Sequence, residues 1–295
     1  MILRLLLVCL LCIAVLPSLF ANTLHQTSAV PQRVVVLNWD ILENVLALGI
    51  VPVGAANVSG YRQWVKKPFA PHSIKDIGTR SEPNLEKIAQ LKPDVILAAS
   101  PQQDLISILE QIAPVIYMPN FSKNQNAAPV AIEHFQTLAK LFDVEPLAQQ
   151  QLNALNQKLL ELKQTLANKY PTPPKVQVIR FASPTSVFLY TENASTTYIV
   201  KKLGLNPPIN VAPHQWGIKQ VRINRLNEID NGYVLYMLPF PDVKKLEESA
   251  LWNAFSFVKR HQVNSVSAVW NYGGVKSLEY MAQAITDSLI ELAPH

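Results

Sequence analysis

Arg80 stands in the run Asp76-Ile-Gly-Thr-Arg-Ser-Glu-Pro-Asn-Leu-Glu86, two residues after Gly78 and four before Asn84. A glycine that permits unusual backbone angles precedes it, and an asparagine suited to capping a helix from Leu85 to Leu91 follows it. The spacing predicts a guanidinium held on a loop between two fixed elements. There it presents planar N–H donors to acceptor oxygens, and each charged hydrogen bond is worth about 1.5–3 kcal/mol. Aromatic residues keep it company. Trp39 follows an apolar run, Trp64 ends Gly60-Tyr-Arg-Gln-Trp64, Trp216 lies in Pro213-His-Gln-Trp-Gly217, and Trp270 in Val269-Trp-Asn-Tyr-Gly-Gly274. All four read as loop or strand-end positions, whereas Trp252 in Leu251-Trp-Asn-Ala-Phe255 reads as core. Together they describe an aromatic-lined cleft with one donor-rich cation in it.

Other chemistries fit the residues less well. His25, His72, His134, His214, His261 and His295 are scattered, with no helical pair and no histidine-rich loop, so each reads as a surface or loop residue rather than a metal ligand. No G-x-S-x-G elbow, phosphate-binding loop or dinucleotide glycine pattern occurs, which leaves an exported hydrolase as the weaker reading from another class. Both cysteines, Cys9 and Cys12, fall within Met1 to Ala21, which carries one charge at Arg4, an apolar run from Leu5 to Leu16, a breaker at Pro17 and small residues at Ser18 and Ala21. That pattern is a cleavable secretory signal peptide over 1–21, and neither cysteine has the setting of a lipoprotein anchor. The exported remainder, placed in the periplasm, has no thiol for a disulfide, a metal or a nucleophile. Its formal charge falls from +5 to +4 with the loss of Arg4. So mild a balance, without a basic run, gives no nucleic-acid footprint.

The elements that must position these residues follow from periodicity. Arg33 to Leu37, Val51 to Ala55, Val95 to Ala98 and Pro114 to Met118 are short apolar runs of the buried-strand type, with helical spacing over Ile41–Leu48 and Ala131–Phe142. In the helix after Asn84, Leu85, Ile88 and Ala89 form the inward face. From Glu145 to Tyr170 there is no glycine, and leucines at 152, 155, 159, 162 and 166 make one apolar stripe on a single long helix. A second alternation then begins, with strands near Val176–Phe181, Tyr233–Leu238 and Ser265–Val269, the last ending directly before Trp270. The chain is thus read as α/β: a lobe over 22–145, a connecting helix over 146–170 and a second α/β lobe over 171–295. A single rigid helix between lobes restricts their opening and closing.

The blocks RVVVLNWDILENVLALGIVPVGAANVSGYRQWVKKP, DIGTRSEPNLEKIAQLKPDVIL, HQWG and AVWNYGG resemble the periplasmic ferrichrome-binding proteins and their relatives, the siderophore-binding proteins of ABC iron importers. The resemblance covers essentially the whole exported chain. It implies two α/β lobes bridged by one long helix, and a ferric siderophore, of hydroxamate type, as ligand. Iron is carried inside the siderophore, so no cofactor is bound directly. It implies Arg80 as the polar anchor on the hydroxamate oxygens, and Trp39, Trp64, Trp216, Trp270 and Tyr272 as the aromatic wall. The family's tyrosine after the fourth strand is missing here, where the chain reads Ala98-Ala-Ser-Pro-Gln-Gln-Asp104, and Ser100 or Gln102 is the substitute donor. The implied partner is an inner-membrane ABC permease with its ATPase, met by a monomer through a glutamate on each lobe. Glu86 fills that role on the first lobe; on the second, Asn224 stands where the pattern has an acid and Glu228 replaces it. Within the same fold, cobalamin or haem is the alternative ligand.

Overall fold

The computed structural model describes residues 29–65 and 67–293; the leader assigned to 1–21 lies outside them. Two five-stranded sheets are present, each one layer of an α/β lobe.

In the first lobe all pairings are parallel and the strand order is β3-β2-β1-β4-β5. The strands are β1 (Val34–Val36), β2 (Gly54–Ala55), β3 (Lys75–Asp76), β4 (Val95–Ala99) and β5 (Val115–Met118). β1 and β4 are buried along their whole length, as strands covered on both faces must be. Around them pack α1 (Trp39–Ala47), α2 (Val58–Trp64), α3 (Leu85–Gln90), α4 (Ile106–Leu109) and α5 (Ala127–Leu141). Asn84 caps α3 as expected, its side chain accepting from Lys87 N at 2.9 Å. Of the three residues expected on the inner face of α3, Ile88 is buried, Leu85 is half-buried and Ala89 is exposed, because a helix of six residues has room for only one contact row.

α6 (Glu145–Lys169) is the connecting helix, 25 residues and, at 1.5 Å per residue, roughly 37 Å long. Its stripe serves two cores. Ala148 and Leu152 pack with the first lobe, while Leu155, Leu159, Leu162 and Leu166 pack with the second.

The second sheet has order β10-β9-β6-β7-β8, from β6 (Val176–Ser183), β7 (Ser186–Tyr190), β8 (Ile218–Arg222), β9 (Tyr233–Met237) and β10 (Val263–Val266). β6, β9 and β10 run parallel, but β7 and β8 are antiparallel to their neighbours, an arrangement that simple strand–helix alternation does not predict. The last strand ends at Val266, three residues earlier than expected, so Trp270 sits in the following loop rather than at the strand end. α7 (Ser195–Lys202), three short helices α8 (Val243–Glu247), α9 (Ala250–Ala254) and α10 (Ser256–Lys259), and α11 (Val275–Ile290) complete the lobe. Trp252 is buried in this lobe's core, as expected.

α11 also reaches across the seam. It packs on α6, on α1 and α5 of the first lobe, and on α7 and β10 of the second. The Tyr170 hydroxyl, at the end of α6, donates to Leu289 O at 2.6 Å.

Candidate ligand-binding cleft

In an open parallel sheet, ligands sit beyond the carboxyl ends of the strands. Arg80, Trp39, Ser100 and Asn120 follow β3, β1, β4 and β5 respectively, so the first lobe presents all four at that edge.

The Arg80 loop is fixed from several sides. Gly78 has φ +96°, the left-handed region that favours glycine, and donates its N–H to Asp76 Oδ1 at 3.0 Å. Thr79 Oγ1 accepts from Glu82 N at 2.9 Å, and Asn84 N donates to Ile77 O at 2.7 Å. Gln102, fully buried, donates to the Arg80 carbonyl while its Oε1 accepts from Ala99 N at 2.9 Å. Gln102 is therefore a brace behind the arginine, tying the loop after β3 to the end of β4. The guanidinium itself lies over the Trp39 ring, 4.1 Å from its centroid, and 5.8 Å from that of Trp270. Burial pulls the Arg80 pKa down, and the nearby Asp40 carboxylate opposes that shift.

Trp39 is the first residue of α1 and is buried, with Nε1 donating to Ala56 O (3.2 Å) and Asn57 O (3.1 Å). It is a platform under the guanidinium rather than an open wall. From it an aromatic row crosses the seam: Trp39 to Trp270 at 5.0 Å, Trp270 to Tyr272 at 5.8 Å, Tyr272 to Phe121 at 5.8 Å, and Phe121 to Trp216 at 4.8 Å between ring centroids. Both lobes contribute, Trp39 and Phe121 from the first and Trp270, Tyr272 and Trp216 from the second, and Trp216 at the far end is 47% exposed. Trp64 stands apart as the exposed last residue of α2, in none of the aromatic pairs found among the described residues.

Ser100 is tied to the neighbouring backbone through its oxygen, and its hydroxyl hydrogen remains available to donate. Its Oγ accepts from Asn120 N (3.0 Å) and Phe121 N (3.2 Å), so it shapes the loop that carries Phe121. Behind the row lies a cavity of about 40 Å³ between the lobes, lined by Asp40, Asn120, Phe121, His134, Tyr190, Asn193, Trp216, Asn271 and Tyr272, among others. His134, expected at the surface or in a loop, is on α5 facing this cavity, and burial lowers its pKa. Asn193 spans the seam, donating to Ser122 O (2.9 Å) and His214 O (3.0 Å).

Two acids of α1 were not anticipated as part of the site. Asp40 is 7% exposed, and burial raises its pKa to about 6. Glu43 is fully buried and raised to about 7 by burial, the largest effect on it, although bonds from Ser277 pull the other way. Glu43 Oε1 accepts from Ser277 N at 2.7 Å, its Oε2 bonds Ser277 Oγ at 2.6 Å, and Asn44 Oδ1 accepts from Val275 N at 3.1 Å. One helix of the first lobe thus caps the amino end of α11, immediately after the Trp270–Tyr272 loop. Gly273 and Gly274 make the approach possible: a Cβ on the first would collide with Ser277 Oγ and the Glu43 carboxylate, and on the second with the Asn44 side chain. The signal in the sequence was Glu43-Asn44 inside an otherwise apolar helical run, polar residues where only a partner could keep them.

Glu86 is exposed in the first turn of α3, with Gln90 Nε2 3.3 Å from its Oε1. Glu228 closes a 3-10 turn (Ile223–Glu228) and pairs with Arg225 at 3.2 Å. Neither takes part in the cleft contacts described above. No group of three or more His, Cys, Asp or Glu able to hold a metal occurs among the described residues, and no helix there is long and apolar enough to cross a membrane.

Two lobes, one bridging helix and a cleft at their seam define a bilobed substrate-binding protein, and the chain belongs to the periplasmic binding protein family, whose model matches residues 34–268. Within that family it is similar to the iron(3+)-hydroxamate-binding protein FhuD of Escherichia coli K12, 28% identical over 270 residues that cover 91% of this chain and 90% of the relative. It is also similar to the crystal structure of the Fe3+–Desferal-bound siderophore-binding protein FhuD from Vibrio cholerae, with 57% identity and a TM-score of 0.86 over 89% of this chain and 99% of that one. The Fe(3+) dicitrate-binding periplasmic protein FecB of E. coli K12 is 27% identical over 252 residues, 83% of this chain and 79% of the relative.

Proposed function

We propose that this chain captures a ferric siderophore of hydroxamate type in the periplasm and hands it, as a monomer, to an inner-membrane ABC permease with its ATPase. The observation that carries the reading is the Arg80 guanidinium, stacked on Trp39 at the head of an aromatic row that joins the two lobes. Charge supports the hydroxamate class. Three hydroxamates, each carrying one negative charge, neutralise ferric iron, whereas three catecholates leave the complex strongly anionic. The residues lining the interlobe cavity include no lysine or arginine; of the arginines near it, Arg80 has the Asp40 carboxylate for a neighbour, and Arg180 acts on the Tyr190 and Tyr272 hydroxyls. Such a setting suits a neutral complex whose oxygens need donors more than it suits a trianion. The names of the relatives point the same way. Tryptophan fluorescence titration with ferrichrome, ferric tris-catecholate, cobalamin and haem tests it. Tightest binding to a ferric hydroxamate is expected, and preference for any of the other three would replace the reading.

Two further outcomes are expected from it. The iron enters as cargo already coordinated, so calorimetry with bare ferric or zinc ions should show no stoichiometric submicromolar site; such a site would refute the assignment of iron to the siderophore alone. At the delivery end, Glu86→Lys should leave siderophore affinity nearly unchanged while reducing uptake through the permease in cells. A parallel fall in affinity would place Glu86 in the cleft instead.

A further inference from the structure

The second-lobe wall of the cleft is one face of that lobe's sheet. Side chains of a strand alternate between faces, so Tyr190 and Phe188 of β7 share one, together with Arg180 of β6, which stands opposite Phe188 in the register. Gln220 and Arg222 of β8 continue it, opposite Phe188 and Ser186. The other face, with Ile179, Phe181, Val187 and Leu189, is closed by the lobe's own core. Tyr190 is buried and lines the interlobe cavity, Phe188 and Arg180 are half-buried, and Gln220 and Arg222 are exposed. The face therefore climbs from the seam into solvent, with Arg180 midway.

The Arg180 guanidinium lies over the Phe188 ring, 4.8 Å from its centroid, and among the described residues it enters no ion pair and donates no hydrogen bond. Burial raises the pKa of the Tyr190 and Tyr272 hydroxyls, and the Arg180 charge opposes that shift in both. Both tyrosines line the cavity, so the guanidinium stands beside the same space as the aromatic row. Arg80 has Asp40 for a neighbour, whereas the residues of β6, β7 and β8 that share the face of Arg180 include no carboxylate. A half-buried guanidinium with its planar donors unspent is matched best by the paired oxygens of a carboxylate. Arg222, at the exposed edge, is screened by solvent and adds little. We propose that Arg180 is a specificity-determining residue of the second lobe, taking a carboxylate carried on an arm of the ferric ligand outside the iron centre. The inference rests on the ferric hydroxamate reading and deepens it: Arg80 holds the neutral iron-bearing head, and Arg180 discriminates by what the rest of the ligand carries. One unpaired guanidinium matches one added charge, where a tris-catecholate brings three.

The test uses ferrioxamine B acylated at its terminal amine with either an acetyl or a succinyl group, two complexes with the same iron centre that differ in one carboxylate. Affinities are read by fluorescence quenching for the wild type, Arg180→Gln and Arg180→Lys, with thermal unfolding alongside to confirm that each variant is folded. The wild type is expected to favour the succinyl complex by about tenfold, the low end of what a charged hydrogen bond supplies. Arg180→Gln should bind the two alike, and Arg180→Lys should retain part of the preference, since it keeps the charge and loses the planar pair of donors. Equal binding by the wild type, or a preference for the acetyl complex, overturns the proposal whatever the variants do and leaves the siderophore reading standing. A preference undiminished in Arg180→Gln overturns it too, because another cation then holds the carboxylate. If the wild type binds neither complex, the siderophore reading falls and takes the role of Arg180 with it.

Discussion

Arg80→Ala is expected to weaken binding of the preferred ferric hydroxamate by roughly ten- to a hundred-fold, the loss of a charged hydrogen bond of about 1.5–3 kcal/mol. The reason is positional as much as electrostatic. The guanidinium is stacked on a buried indole and its own carbonyl is held by Gln102, so its donors are aimed before the ligand arrives. Arg80→Lys should recover only part of the loss, since an ammonium neither stacks as a plane nor presents paired donors. Thermal stability should change little, because the Arg80 side chain is half-buried and none of the hydrogen bonds found among the described residues comes from its guanidinium. Fluorescence quenching on the three proteins, with melts alongside, is the measurement. An alanine variant that binds like the wild type would reduce Arg80 to a surface charge and move the anchor to Tyr272.

A larger effect on stability is expected from Glu43→Ala. It strips partners from Ser277 N and Ser277 Oγ, each buried donor left unmatched costing about 1–3 kcal/mol, and frees the joint that holds the Trp270–Tyr272 loop over Trp39. Glu43→Gln should be far milder, because its carbonyl accepts from Ser277 N while its amide donates to Ser277 Oγ. Chemical denaturation of the two variants decides the matter; an alanine variant as stable as the wild type would show that the seam does not depend on this acid. The pH dependence has a definite sign. The folded pKa of Glu43, about 7, lies above its ordinary 4.5, so the neutral acid is the form that folding favours. Its contribution is fully present below the ordinary value and is lost as pH rises through about 7. Asp40 behaves likewise between 3.8 and about 6. The wild type should therefore be more stable at pH 5 than at pH 8, and Glu43→Gln should narrow that difference.

Much of this architecture was legible in the chain because burial leaves period in a sequence. The leucines of α6 marked both its length and its stripe, and the β-branched runs marked β1 and β4. Arg80 was legible for a local reason: Gly78 and Asn84 specify the turn and cap on either side of it. What stayed hidden depends on residues far apart in the chain. Nothing near Ser100 announces that its hydroxyl serves the backbone of Asn120 and Phe121. Trp39 and Trp64 look alike as tryptophans near helix ends, yet one is enclosed by Ala56, Asn57 and Trp270 while the other is open to solvent. The antiparallel β7 and β8 escaped for different reasons: β7 has an apolar run but turns straight back on β6 with no helix between them, and β8 is half-exposed, with Lys219 and Gln220 in its middle.

The cap on α11 links positions 234 residues apart, Glu43 near the start of the folded chain and Ser277 near its end. A ribosome makes them in that order. Arg80 and its indole platform leave it first, and Trp270, Tyr272 and the helix that anchors them follow about 190 residues later. No amino-terminal fragment, however well its sheet is formed, owns a complete cleft. Contacts of such long sequence separation also close late in folding, after the shorter loops have paid their entropy. A chain truncated before α11, or stalled before it, keeps the arginine and loses the far side of the cleft, so the capacity to hold a ligand doubles as a sign that synthesis has passed α11.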